Sequence, residues 1–166
     1  MRISHDRASF EQAVRAYSAD LFRYAHWLCR DRHLAEDVVQ EAFARAWKSW
    51  PELRELAFAK AWLMKIVRNE YLRACSRKRE EASDIDENDL PALPSFEAGL
   101  ETAQLVGLLP ETYREPLLLQ VLGGFSCAEI AGIVGTSEGA VMTRLTRARQ
   151  ALRQHFTDSG RRRAAR

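Results

Sequence analysis

The stretch SCAEIAGIVGTSEGAV, residues 126–141, leaves a chain few ways to fold. Ser126 and Glu129 have the spacing at which a hydroxyl caps the start of a helix and a carboxylate returns the bond. Gly135 then stands where a helix can end on a left-handed residue, a conformation glycine takes without steric cost. Thr136 or Ser137 offers the cap for a second helix. Ala131 is small enough for two helices to cross over it, and Val141 is an apolar residue that can face back from the second helix. Two helices joined by a glycine turn in this order read as a helix-turn-helix.

At about 100° per residue, Val141, Leu145, Ala148, Leu152 and Phe156 fall on one arc of the second helix, its expected core face. Met142, Thr143, Arg144, Thr146, Arg147, Arg149 and Arg153 spread over the rest. From residue 139 onward there are eight arginines against one aspartate. Guanidinium groups on such a helix can meet phosphates and guanine edges in a major groove. A charged face can also be merely solvated. Repressors, activators, response regulators and recombinases all use this unit, so it points to duplex DNA and no further.

The remaining pattern is helical throughout. Phe10, Val14, Tyr17, Leu21, Tyr24 and Leu28 recur at three or four, with Ser9 and Gln12 at capping-box spacing. Asp31 is a suitable N-cap for a helix over 32–50, with Leu34, Val38, Ala42 and Ala46 on one stripe, and Pro51 ends it. A third helix is expected over 59–79. Residues 80–101 then hold eight carboxylates and no Lys or Arg. No sustained alternation marks a strand. The expectation is an all-α chain of two small helical domains: residues 1–80, a flexible acidic linker over 81–95, and residues 96–166 with the helix-turn-helix and a basic tail.

Several function classes are not expected. No apolar run approaches the roughly 18 to 20 residues of a membrane span, and the N-terminus has no apolar signal core. A cytoplasmic protein without membrane insertion is expected. Cys29, Cys75 and Cys127 read as separate reduced thiols. His26, Cys29 and His33 lie close in sequence, but Asp31 starts a new helix between them, so no metal site is expected. Neither a glycine-rich phosphate loop nor a Ser-His-Asp set is present, and the chain reads as neither an enzyme nor a cofactor binder.

The first half carries two further faces. The third helix has seven basic residues against Glu70 alone, interleaved with Trp62 and Tyr71. That suits a surface holding single-stranded nucleic acid, although the aromatic residues also suit a core. In the second helix Asp37, Gln40, Glu41 and Ala44 share the side away from the apolar stripe. Such groups suit a protein partner with basic residues, or simply water.

The strings AEDVVQEAFARAW and AWLMKIVRNEYLR, followed by the helix-turn-helix, resemble bacterial sigma factors of the extracytoplasmic-function (ECF) group over about residues 9–156. The resemblance rests on the D-x-x-Q-E-x-F and W-L-x-x-I-x-x-N strings in that order. It implies a subunit that binds core RNA polymerase, through its β′ and β subunits, and directs initiation at promoters. Asp37, Gln40, Glu41 and Phe43 would dock on a β′ coiled coil. Trp62, Lys65, Arg68, Asn69 and Arg73, with the connection PELRELAF, would recognise and melt the −10 element. Ser137, Met142, Thr143, Arg144, Arg147 and Arg149 would read the −35 element. An anti-sigma factor is an expected partner. The chain departs from the family's pattern in two places: Ala140 and Met142 replace Thr and Lys in the recognition helix, and Arg73 and Ala74 stand where an aspartate is frequent. A stand-alone helix-turn-helix regulator is the alternative.

Overall fold

The computed structural model describes residues 7–81 and 100–164, with side chains over 7–81 and 103–157. The linker expected over 81–95 lies, beyond Glu81, outside the described residues. The chain divides into two compact units, residues 1–92 and 93–166. The first contains α1 (Arg7–Cys29), α2 (Arg32–Ser49), two single 3-10 turns (Trp50–Glu52 and Leu56–Phe58) and α3 (Ala59–Glu81). The second contains α4 (Leu100–Gly107), α5 (Glu111–Gly123), α6 (Cys127–Val134) and α7 (Glu138–Ala164). The chain is all-α, with no strand among the described residues.

In the first unit α1, α2 and α3 pack on one another. Leu21, Tyr24, Trp27, Val38, Trp50, Leu63, Met64 and Val67 fill the space between them and are closed to solvent. The small side chains Ala35, Ala42 and Ala46 line the buried side of α2 and let the other helices approach it. Burying one large apolar side chain stabilises a fold by about 1.5–3 kcal/mol, so this cluster dominates the unit's stability. The chain reverses between α1 and α2 at Arg30, whose φ is 53°, and Asp31 Oδ1 accepts the Leu34 N–H at 2.8 Å. The cap expected at Asp31 is therefore present.

The cap expected at Ser9 is not. Helix α1 starts two residues earlier, and Ser9 Oγ accepts the indole N–H of Trp50 at 3.0 Å, tying the start of α1 to the end of α2. Capping spacing identifies a hydroxyl that can reach a nearby amide, and here a distant donor has claimed it.

The second unit follows the pattern of its opening motif closely. Ser126 Oγ accepts the Glu129 N–H at 3.2 Å while Glu129 Oε2 accepts the Ser126 N–H at 2.8 Å, a complete capping box. Gly135 is left-handed (φ 76°, ψ 44°) and its N–H donates to the Ala131 carbonyl. Ser137 Oγ accepts the Ala140 N–H at 3.2 Å and caps α7. Val141, Leu145 and Ala148 are fully buried. The core face is shorter than the arc implies: Leu152 is half-buried and Phe156 is 53% exposed. On α6 Ile133 joins Ile130 and Ala131 in the core, and Val134 is only half-buried.

Candidate protein-docking and nucleic-acid interfaces

Helix α2 buries its alanine and valine stripe, which forces its polar positions outward. Asp37, Gln40 and Glu41 are all exposed on that outer side, and Phe43 is half-buried beside them. The face offers carboxylates and an amide, with an apolar ring at its margin. It is electrostatically suited to a basic protein surface. Arg45, one turn after Glu41, lies with Nε 3.5 Å from Glu41 Oε1.

On α3 the five residues expected at the −10 element divide. Lys65, Asn69 and Arg73 are exposed, while Trp62 and Arg68 are half-buried. Trp62 leans on Trp50 with ring centroids 5.9 Å apart, and Trp50 meets the edge of Phe10 at 5.2 Å. Trp62 is thus anchored in an aromatic cluster and offers only part of its ring outward. Ahead of α3, Phe58 is 53% exposed and Leu56 37% exposed in their 3-10 turn. Neither side chain was singled out from the sequence. An apolar pair in a charged connection is the signal that could have found them.

On α7 the geometry again separates the expected residues. Met142 is 56% exposed, and with Thr143, Thr146, Arg147 and Gln150 it borders an open depression. Thr143 Oγ1 donates to the Gly139 carbonyl at 3.1 Å, which turns its methyl group outward from its own helix backbone. Arg144 is half-buried. Ser137 has its oxygen engaged as the helix cap, and Arg149 donates to Gln120 Oε1 on α5. These two residues brace the helix as well as facing solvent.

Sequence reasoning missed Glu70. Its side chain is 3% exposed, and its Oε1 takes Arg45 Nε at 2.5 Å and Arg73 Nη1 at 3.1 Å. The only acidic residue in a basic helix segment was the available signal. It read as a minor subtraction from the charge of α3.

The cysteine and histidine cluster near the α1–α2 turn is electrostatically quiet. Burial, with a smaller contribution from nearby Cys75, pushes the Cys29 thiol up to about 12. Burial, then the Arg32 charge, holds His26 below its ordinary value. No three His, Cys, Asp or Glu side chains among the described residues are placed to share a metal ion. No helix among the described residues is long and apolar enough to cross a membrane.

Comparison with known proteins gives these surfaces a context. The Sigma-70 region 2 family matches residues 13–81, and the Sigma-70 region 4 family matches residues 100–152. The ECF RNA polymerase sigma factor SigL of Mycobacterium tuberculosis is 32% identical, over 96% of this chain and 97% of its own length. The probable RNA polymerase sigma factor RfaY of Xanthomonas campestris is 32% identical, and SigE of Mycolicibacterium smegmatis 31% identical. The chain spans only 43% and 62% of the lengths of those two proteins. Among solved structures, the sigma factor RpoE of Bartonella quintana, in complex with the anti-sigma factor NepR, is 27% identical with a TM-score of 0.75, covering 89% of this chain and 96% of that one. CnrH, solved with the cytosolic domain of CnrY, shares the fold at 23% identity and a TM-score of 0.65, over 92% of this chain and 90% of that one.

Proposed function

Because the chain belongs to the ECF group of RNA polymerase sigma factors, we propose that it docks on core polymerase through the outer face of α2 and directs initiation by reading promoter DNA with α3 and α7. The observation that carries this reading is the outward row Asp37, Gln40 and Glu41, set on a different unit from the helix-turn-helix. The stand-alone regulator is not favoured, since the sigma family match includes residues 13–81 as well as the helix-turn-helix.

The division of labour follows from the chemistry of each surface. Carboxylates on α2 attract basic groups of the polymerase. Lys65, Asn69 and Arg73, with the apolar turn at Leu56 and Phe58, suit an unpaired −10 strand: cations follow its backbone, and apolar side chains with an amide can receive an extruded base. Met142, Thr143, Arg144 and Arg147 suit the duplex −35 element, where arginine can bind guanine in two places and a methyl group can meet thymine. The relative in Bartonella quintana is bound by an anti-sigma factor, which supports a protein inhibitor for this chain too.

Run-off transcription with core polymerase and mapped start sites tests the reading. The expected result is new starts preceded by shared −35 and −10 sequences. Asp37→Arg, or Gln40→Ala with Glu41→Ala, is expected to abolish core binding while leaving the helical circular dichroism spectrum intact. Undiminished core affinity in those variants overturns the docking face. A pull-down from the native host before induction tests for the inhibitor.

A further inference from the structure

The carboxylate of Glu70 is buried on a basic helix, where it holds Arg45 from α2 as well as Arg73 of the proposed −10 surface. A buried ion is expensive to keep, and a buried ion pair can be exchanged for apolar side chains at little cost in stability. Its presence asks for a role beyond packing. Glu70 Oε1 holds Arg45 Nε at 2.5 Å, whereas the same Arg45 nitrogen stands 3.5 Å from Glu41 Oε1. Arg45 is therefore seated on Glu70 and only loosely shared with Glu41. Both Arg45 and Glu41 are about half exposed, at 47% and 52%, in the open groove where α2 meets α3.

We propose that Glu70 is a positioning residue for polymerase docking: by holding Arg45, it keeps the Glu41 carboxylate open to the partner's basic groups. This rests on the docking role proposed above for Glu41. Without the Glu70 charge, the carboxylate left to Arg45 is Glu41, one turn away in the orientation that favours an ion pair along a helix. Closing that pair places a cation on the docking face. It competes with the incoming polymerase cation and repels it.

This arrangement has a signature that a purely structural ion pair lacks. Glu70→Gln and Arg45→Met both break the same pair, in which Glu70 is buried and Arg45 half exposed, and both are expected to lower the urea midpoint. Their effects on docking are expected to differ in sign. Glu70→Gln releases Arg45 onto Glu41 and weakens core binding about twofold, the strength of an exposed helical ion pair. Arg45→Met removes the competitor and binds core at or above the wild-type affinity. The double variant matches Arg45→Met because, of the two cations that Glu70 holds, Arg45 and Arg73, Arg45 is the one that also reaches Glu41.

The experiment is competition binding of the full-length variants to core polymerase, with urea unfolding of each, and Glu41→Ala as the reference. If Glu41→Ala leaves affinity unchanged, the docking reading itself is wrong. If Glu41→Ala weakens binding while Glu70→Gln and Arg45→Met fall together in step with stability, the positioning role is wrong and docking stands. Should Glu70→Gln fail to fold, Glu70→Asp keeps the charge but shortens its reach. It is expected to weaken docking measurably, and wild-type affinity in that variant overturns the inference.

Discussion

At Asp31 one carboxylate turns the chain from α1 into α2, and its charge is set by the bond it makes. The Leu34 N–H, more than the nearby His33 and Lys78 charges, holds its carboxyl below the usual carboxylate value. A group whose folded value is depressed contributes stability that is fully present above its unfolded value, about 3.9, and is lost as pH falls through the folded value. Replacing Asp31 by Asn leaves an oxygen to cap the helix but removes the charge. The wild-type advantage in urea midpoint is expected to be largest near neutrality and to shrink below about pH 4. His26 acts in the same direction at higher pH. Burial depresses it, so the unfolded chain takes the proton first and stability falls as pH drops below about 6.5. Urea titrations at stepped pH separate the two windows. Asp31 was legible because its partner is three residues away. The bond from Glu70 to Arg45 was not, because Arg45 lies on another helix and no spacing rule connects them, although Arg73, its other partner, stands only three residues on.

The elements were legible where their signals are local. The capping box, the glycine turn and the start of α7 each depend on neighbours within a few residues. The far end of the α7 core face was not legible. This helix has 27 residues, whereas α6 has 8 and α5 has 13, so its apolar period continues past the helices that could cover it. Periodicity gives the direction of a face and is silent on where its partner stops. At the turn before α6 the packing is tight. A Cβ on Gly123 would meet the buried Phe125 ring at 2.2 Å, so Gly123→Ala is expected to lower the urea midpoint and Phe125→Leu to restore part of it. Overpacking of this kind costs about 1–3 kcal/mol. On α7 itself, Arg147→Ala is expected to cost about 1–3 kcal/mol against a −35 duplex and to relax specificity at one position, the mark of a base-edge contact. Arg149→Ala, whose guanidinium braces Gln120, is expected to weaken all sequences alike. Binding titrations on matched and mismatched duplexes at several salt concentrations distinguish the two.

At the scale of the molecule, the order of motifs was legible and the joins between distant residues were not. The indole of Trp50 bonds to Ser9 across 41 positions, and a pairing at that distance leaves no periodic trace. The proposed division of tasks between the two units also predicts that binding and opening can be separated by mutation. Asn69→Ala is expected to reduce opening of a duplex promoter more than binding to a template already mismatched at −10, because a flipped base costs a few kcal/mol that its pocket must offset. Permanganate reactivity of unpaired thymines reads this directly, and equal reactivity from wild type and variant would remove Asn69 from base capture. The aromatic cluster around Trp50 has one more consequence. All four tryptophans, Trp27, Trp47, Trp50 and Trp62, belong to residues 1–92, and residues 93–166 contain none. Indole fluorescence is therefore an optical label confined to the half that carries the proposed docking face, with Trp47 exposed near its aromatic neighbours and Trp27 and Trp50 sealed from quenchers. Followed by emission, unfolding reports that half; followed by circular dichroism, it reports both, and a transition seen by dichroism without a change in emission belongs to residues 93–166.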